Sequence, residues 1–222
     1  MGRIIIPDIH GRNFWKRVNK RASKIIFLAD YVDSFSISAK DQYKNLLEII
    51  AFKKQYPDKV VLLWGNHDVQ YLYLDRMEYR CSGYQDKSST AFSVVFNDNK
   101  SLFQNLYFDS EQQILYSHAG LQNSLYNELE SKYGPFTDMQ DFVDFVNQYS
   151  PKEIFNISKL NGGFDEYAGI FWTRPVELQR NGYPIKQVVG HTYQQDRKVR
   201  YINNLYAICD IAKIIDIKDL TF

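Results

Sequence analysis

The chain has 222 residues, 45% of them hydrophobic and 24% charged, with a formal net charge of +1. This length suits one substantial domain over residues 1–222, and the composition excludes disordered and fibrous classes. The near-neutral balance gives no overall pull toward nucleic acid or a membrane surface, so neither is indicated as a partner.

Taken in chain order, runs rich in Ile and Val predict strands at residues 3–6, 24–28, 59–64, 113–116 and 187–189. Between the first two, residues 12–24 carry Arg12, Lys16, Arg17, Lys20, Arg21 and Lys24 with no acid. Phe14, Trp15, Val18 and Ala22 would form the inward face of a helix there, which makes the charges a solvated outer face. The competing reading is a groove for a polyanion. A longer helix is predicted over residues 38–56, where Tyr43, Leu46, Leu47 and Ile50 recur at helical spacing and Ser38 and Asp41 stand as a capping pair. Tyr71, Tyr73, Tyr79 and Tyr84 read as core and cap packing rather than as the wall of a nucleobase pocket. Near residue 140, Asp138, Asp141 and Asp144 mark the outer face of a helix that buries Phe142, Phe145, Val146 and Tyr149. Three short runs at residues 199–202, 205–209 and 212–217 predict a β-meander that finishes a second sheet.

Alternating strands and helices predict an α/β layer fold with the first strands parallel and buried. Ligands in such folds gather at the carboxyl ends of the strands. No apolar run approaches the roughly 18 residues of a bilayer span, and Met1-Gly2-Arg3 opens no apolar signal core, so a cytoplasmic location is expected. Cys81 and Cys209 fit no metal or redox spacing and read as thiols.

All four histidines stand where a strand-like run gives way to a polar turn. The segments are Asp8-Ile9-His10-Gly11, Gly65-Asn66-His67-Asp68, His118-Ala119-Gly120 and Gly190-His191-Thr192, and Ala29-Asp30-Tyr31-Val32-Asp33 adds a fifth strand end without histidine. Carboxylate, imidazole and amide donors suit Mn²⁺, Fe, Zn²⁺ or Mg²⁺ rather than soft metals. Asp8 and His10 can leave one strand together as two ligands of one metal, and Asp30 has two oxygens with which to bridge to a second. Asn66, His118 and His191 would complete that second site. Two such ions about 3.5–4 Å apart bind a phosphoryl group, generate hydroxide near neutral pH and stabilise in-line displacement. His67 would protonate the leaving oxygen, with Asp33 fixing its tautomer.

The five motifs in this order resemble the calcineurin-like metallophosphoesterases, in particular the branch of Ser/Thr phosphoprotein phosphatases and bacterial diadenosine tetraphosphatases, from residue 4 to about residue 217. The resemblance implies a two-sheet αββα sandwich with a dinuclear centre at the strand ends. It gives Asp8, His10 and Asp30 to one metal, Asp30, Asn66, His118 and His191 to the other, and makes His67 and Asp33 the catalytic pair. Two divalent ions are implied, Mn²⁺ first, with Fe, Zn²⁺ or Mg²⁺ as alternatives. The substrate implied is a phosphoprotein, a dinucleoside polyphosphate or a small phosphomonoester. Pro7 and Ala29 stand where small glycines usually precede the first two aspartates. Ser34 replaces the arginine that follows the equivalent of Asp33 and grips phosphate in the phosphoprotein phosphatases. Arg174, in Phe171-Trp172-Thr173-Arg174-Pro175, resembles a second phosphate-binding arginine of bacterial and phage members, and Arg12 is a further candidate. The competing function is a non-catalytic metal-binding or protein-interaction scaffold of the same fold, which would have no need to keep both His67 and Asp33.

Overall fold

The computed structural model describes residues 2–222. In chain order its elements are β1 (Arg3–Ile6), β2 (Lys24–Phe27), α1 (Ala39–Gln55), β3 (Val60–Leu63), α2 (Asn66–Val69), α3 (Ser89–Asp98), β4 (Phe103–Gln104), β5 (Tyr107–Asp109), β6 (Ile114–Ser117), α4 (Asn123–Tyr133), α5 (Met139–Tyr149), α6 (Pro175–Asn181), β7 (Lys186–Val189), β8 (Arg200–Ile202), β9 (Tyr206–Ile208) and β10 (Ile215–Asp216). The result is an α/β fold with two mixed five-stranded sheets, ordered β10-β1-β2-β3-β4 and β5-β6-β7-β9-β8. No helix among the described residues is long and apolar enough to cross a membrane.

Two compact units divide the chain. The first comprises Met1–Gln104 with Ala212–Asp219, the second Asn105–Ile211 with Leu220–Phe222. In the first unit β1 to β4 run parallel, with Ile6 opposite Phe27 and Phe27 opposite Leu62. Their Ile, Val and Leu side chains are almost all buried, as strands covered on both faces require. This register ends three strands at one edge and releases three loops side by side. Helix α1 starts where the capping pair predicts: Ser38 accepts from the Asp41 N–H and its hydroxyl donates to the Asp41 carboxylate. In the second unit β6 and β7 are parallel, with Ser117 opposite Val189, so His118 and His191 follow aligned strand ends. There Asp138 caps α5, Asp141 and Asp144 face solvent, and Phe142 and Val146 are buried.

Three predicted features are corrected. Residues 12–24 form no α-helix; a single 3-10 turn at Phe14–Arg17 is followed by extended backbone at Val18. Trp15 explains how so short a turn holds, because its indole N–H donates to Asn45 Oδ1 at 3.0 Å and its ring meets Phe27 and Phe52. The C-terminal runs do not form one meander: β8 and β9 pair antiparallel in the second sheet, whereas β10 pairs antiparallel with β1 in the first. Tyr149 is 63% exposed, since α5 turns it past the buried stripe, although its ring still meets Phe145.

Candidate active site

The loop after β1 carries Asp8 and His10, the loop after β2 carries Asp30 and Asp33, and α2 begins at Asn66 immediately after β3. These loops are sewn together by backbone: the Ile9 and His10 N–H groups donate to the Asp30 carbonyl at 3.1 and 2.6 Å, and Gly11 N–H to that of Tyr31 at 2.9 Å. The turns demand unusual dihedrals. His10, Ala29, Asp30 and Asp33 have φ of 42°, 92°, 51° and 68°, in the left-handed region that non-glycine residues seldom occupy. Ala29, where the family resemblance has glycine, therefore sits in a conformation that a glycine would adopt without cost.

His10 Nδ1 lies 2.9 Å from the Val32 carbonyl. A carbonyl only accepts, so Nδ1 carries the proton and Nε2 presents a lone pair. That lone pair faces Asp30 Oδ2 at 3.6 Å. Burial, then the neighbouring His67, push His10 down to about 3, which keeps the imidazole neutral. Oxygens of Asp8 and Asp30, which are 1% and 2% exposed, lie within 4.8 Å of each other. One donor atom from each of His10, Asp30 and His67 falls within the same limit. Two buried carboxylates and an imidazole lone pair directed together repel one another unless a cation lies among them, so the donor set fits a hard or borderline divalent ion. Asn66 is 3% exposed and its side-chain NH₂ donates to Cys81 Sγ at 3.1 Å, which makes its carbonyl oxygen the atom suited to a metal.

Asp30 Oδ1 takes the His67 N–H at 3.2 Å. It lies over Gly65, where an added Cβ would meet it at 2.2 Å. Asp68, fully buried, accepts from the N–H groups of Asp30, Tyr31 and Gly65 at 2.9, 2.9 and 3.0 Å. Burial pushes its carboxyl up and those hydrogen bonds pull it back. Three donors in place match the carboxylate form, so Asp68 ties the loop after β2 to the turn after β3.

His67 Nδ1 meets Asp33 Oδ2 at 2.9 Å, and the His10 and His67 rings stand edge to face at 5.0 Å. Burial pushes Asp33 up to about 7, opposed by hydrogen bonds from Tyr71 and Gln70. Gln70 is not singled out by the sequence reading, and Tyr71 is read there only as core and cap packing, not as a partner of Asp33. The signal was present: Gln70 and Tyr71 follow His67 at i+3 and i+4, the spacing that puts residues on one helical face.

In the second unit His118 Nε2 and His191 Nδ1 stand 3.1 Å apart, held by the Gly190 N–H donating to the His118 carbonyl at 2.8 Å. His191 has φ of 62°, and the Trp172 ring meets it edge to face at 6.3 Å. Arg174, two residues on, caps α6 through its backbone and donates from Nε to Asn161 Oδ1 at 2.8 Å. In the first unit Arg12 donates from Nε to the Ile9 carbonyl at 3.0 Å and from a terminal nitrogen to that of Asp8 at 3.1 Å. Ser34 has become a loop brace: its hydroxyl accepts from the N–H groups of Ser36 and Ile37, and its own N–H donates to Gln42. A cavity of about 370 Å³ beside Arg12 is lined by Lys16 and Lys44 and by Asp41 and Glu48, with Lys16 and Glu48 paired, so it offers a polyanion no face of single sign.

The model of the calcineurin-like phosphoesterase family matches residues 4–217. Among solved structures the chain is similar to the cold-active protein-tyrosine phosphatase of a psychrophile, Shewanella sp., with 14% identity over 98% of this chain and 75% of that one and a TM-score of 0.60. A mutant of a cold-active protein tyrosine phosphatase matches with 14% identity, the same coverage and a TM-score of 0.59. A further structure under that name gives 15% identity over 97% of this chain and 73% of that one, again at 0.59. At these identities the likeness is one of fold. Its family match spans both sheets, and the chain belongs to the calcineurin-like phosphoesterases, metal-dependent hydrolases of phosphoesters.

Proposed function

We propose that this enzyme is a phosphatase working through two divalent ions, with residues 1–222 acting as a single metallophosphoesterase domain. Asp8, His10 and Asp30 would hold one ion, and Asp30, Asn66, His118 and His191 the other. The observation that carries the reading is the convergence of His10 Nε2 on Asp30 Oδ2 at 3.6 Å beside the buried Asp8. Bound ions would supply Lewis-acid stabilisation of the phosphoryl group and activation of water. His67 is the proton donor to the leaving oxygen, because Asp33 on Nδ1 directs Nε2 outward. Arg174 and Arg12 are the phosphate-binding candidates. Arg12 has two of its five N–H donors committed to backbone carbonyls, and Arg174 commits its Nε to Asn161 Oδ1.

The structural neighbours are named as protein tyrosine phosphatases, which supports a phosphorylated side chain or small phosphomonoester as substrate ahead of a dinucleoside polyphosphate. Mn²⁺ is the first ion to supply. Metal-stripped protein reconstituted with Mn²⁺ should release phosphate from p-nitrophenyl phosphate and from O-phosphotyrosine and bind two ions per chain. No hydrolysis in any reconstitution, or one tightly held ion at saturation, would defeat the reading.

A further inference from the structure

Asp33 is fully buried, and three side chains donate to its carboxylate: His67 Nδ1 and Gln70 Nε2 to one oxygen, the Tyr71 hydroxyl to the other. Only the first belongs to the proposed proton-transfer pair. The other two donors are themselves held from behind. The Cys81 N–H donates to Gln70 Oε1 at 2.8 Å, and the Gln85 N–H donates to the Tyr71 hydroxyl at 2.8 Å.

These partners set direction as well as place. A Gln70 amide turned over would put its oxygen against the Asp33 carboxylate and its NH₂ against the Cys81 N–H, so only one orientation satisfies both ends. Tyr71 accepts from Gln85 and must therefore give its proton to Asp33. Its ring is stacked on Tyr84 at 5.1 Å and tilted against Phe92 at 5.2 Å, which leaves it no other rotamer to visit. Between these contacts Gly83, with φ of 87°, approaches so closely that a Cβ there would lie 2.9 Å from the Asp33 carbonyl oxygen. The segment 81–85 thus touches the pair through Gln70, through Tyr71 and at the Asp33 backbone.

We infer that Gln70 and Tyr71 are positioning residues that hold Asp33, and through it His67, in the geometry for protonating the leaving oxygen, with residues 81–85 setting that geometry from behind. The inference rests on His67 being the proton donor. Without two of its three donors, Asp33 is free to turn about its own side-chain bonds. His67 then loses a fixed acceptor on Nδ1, and Nε2 is no longer aimed. A misplacement of about 1 Å in a reacting group costs on the order of 100-fold in rate.

The test uses the metal-loaded enzyme and two substrates, p-nitrophenyl phosphate, whose anion leaves without a proton, and O-phosphoserine, whose alkoxide does not. Tyr71→Phe, which keeps the ring, should lower kcat on O-phosphoserine about ten- to hundredfold, the effect of one lost bond to a charged group, with a much smaller loss on p-nitrophenyl phosphate. KM and metal content should stay level. In an Asp33→Asn background Tyr71→Phe should add no more than about twofold, since the group it acts through has been altered. Gln70→Leu provides the same comparison should Tyr71→Phe fold poorly. Equal losses on both substrates, or a full further loss in the Asp33→Asn background, would overturn the inference. His67→Ala separates the two claims. If His67→Ala discriminates between the substrates and the Tyr71 and Gln70 variants do not, the positioning role alone falls; if His67→Ala loses equally on both, the proton-donor reading falls and takes this inference with it.

Discussion

Gly65→Ala should disable the site by moving Asp30. Gly65 has φ of −120° and ψ of 170°, extended backbone open to any residue, so the demand for glycine here is one of space. The new Cβ would lie 2.2 Å from Asp30 Oδ1, about 0.8 Å short of the 3.0 Å that real Cβ atoms respect, and 2.9 Å from the Ala29 Cβ and the Asp30 nitrogen. Neither neighbour can yield freely, because Asp30 N–H is bound to Asp68 and Oδ1 to the His67 N–H. Overpacking of this kind costs about 1–3 kcal/mol, which lowers the melting temperature by roughly 2–12 °C in a chain of this size. The larger effect is on catalysis, because a shift approaching 1 Å in a carboxylate proposed to bridge two ions would cost on the order of 100-fold in kcat/KM. Metal per chain, kcat/KM on p-nitrophenyl phosphate in excess Mn²⁺, and melting curves in chelator and in Mn²⁺ measure the three parts. Gly162→Ala is the control: nothing stands within 4 Å of its Cβ, though its φ of 83° taxes stability, so it should melt earlier with unchanged metal content and activity. Should Gly65→Ala keep both metal content and kcat/KM within about threefold of the parent, the placement of Asp30 over Gly65 has no part in catalysis.

Asp30→Asn should release more metal than His191→Ala, because in the proposed assignment it would lower the charge facing both ions while His191 would serve one; equal retention by elemental analysis would count against a bridging carboxylate. Asp68→Asn sets an NH₂ group against one of three backbone N–H donors and should cost about 1–3 kcal/mol; a melting temperature within 2 °C of the parent, against roughly 2–4 °C per kcal/mol, would show that Asp68 ties nothing together. Arg174→Ala should lower kcat/KM about ten- to hundredfold, with Ser34→Arg recovering part of it. A loss within about twofold would make Arg174 a helix-capping residue, and the same assay on Arg12→Ala would then decide whether the phosphate is held there.

The strand ends were legible because chemistry and periodicity change close together: β1, β2 and β3 end at Ile6, Phe27 and Leu63, and Asp8, Asp30 and Asn66 follow within three residues. The start of α1 was legible because Ser38 and Asp41 cap it locally. What could not be read was partner choice. Ile215 and Asp216 make as good a strand for either sheet, and only the three-dimensional neighbourhood assigns them to β1. Residues 14–22 failed for a related reason: Trp15, Val18 and Ala22 are buried whether the backbone is helical or not, and one bond from Trp15 to Asn45 replaces the packing of a whole helix. Among site residues, metal-type donors announce themselves by identity. Gln70 and Tyr71 do not, because an amide and a phenol serve in any core, and their importance lies in the buried carboxylate they reach.

The pairing of β10 with β1 bears on the order in which the protein is made. Strand β1 emerges from the ribosome long before β10, so its neighbour on one side is not synthesised until residue 216. At about 5–20 residues per second, the roughly 210 intervening residues leave that side of β1 open for about 10–40 s. An open edge of buried-type isoleucines is a template for any other extended chain, including the β1 of a nearby nascent copy. Removing β10 would make that temporary hazard permanent, so loss of residues 212–222 should appear first as aggregation during expression rather than as a defect in turnover.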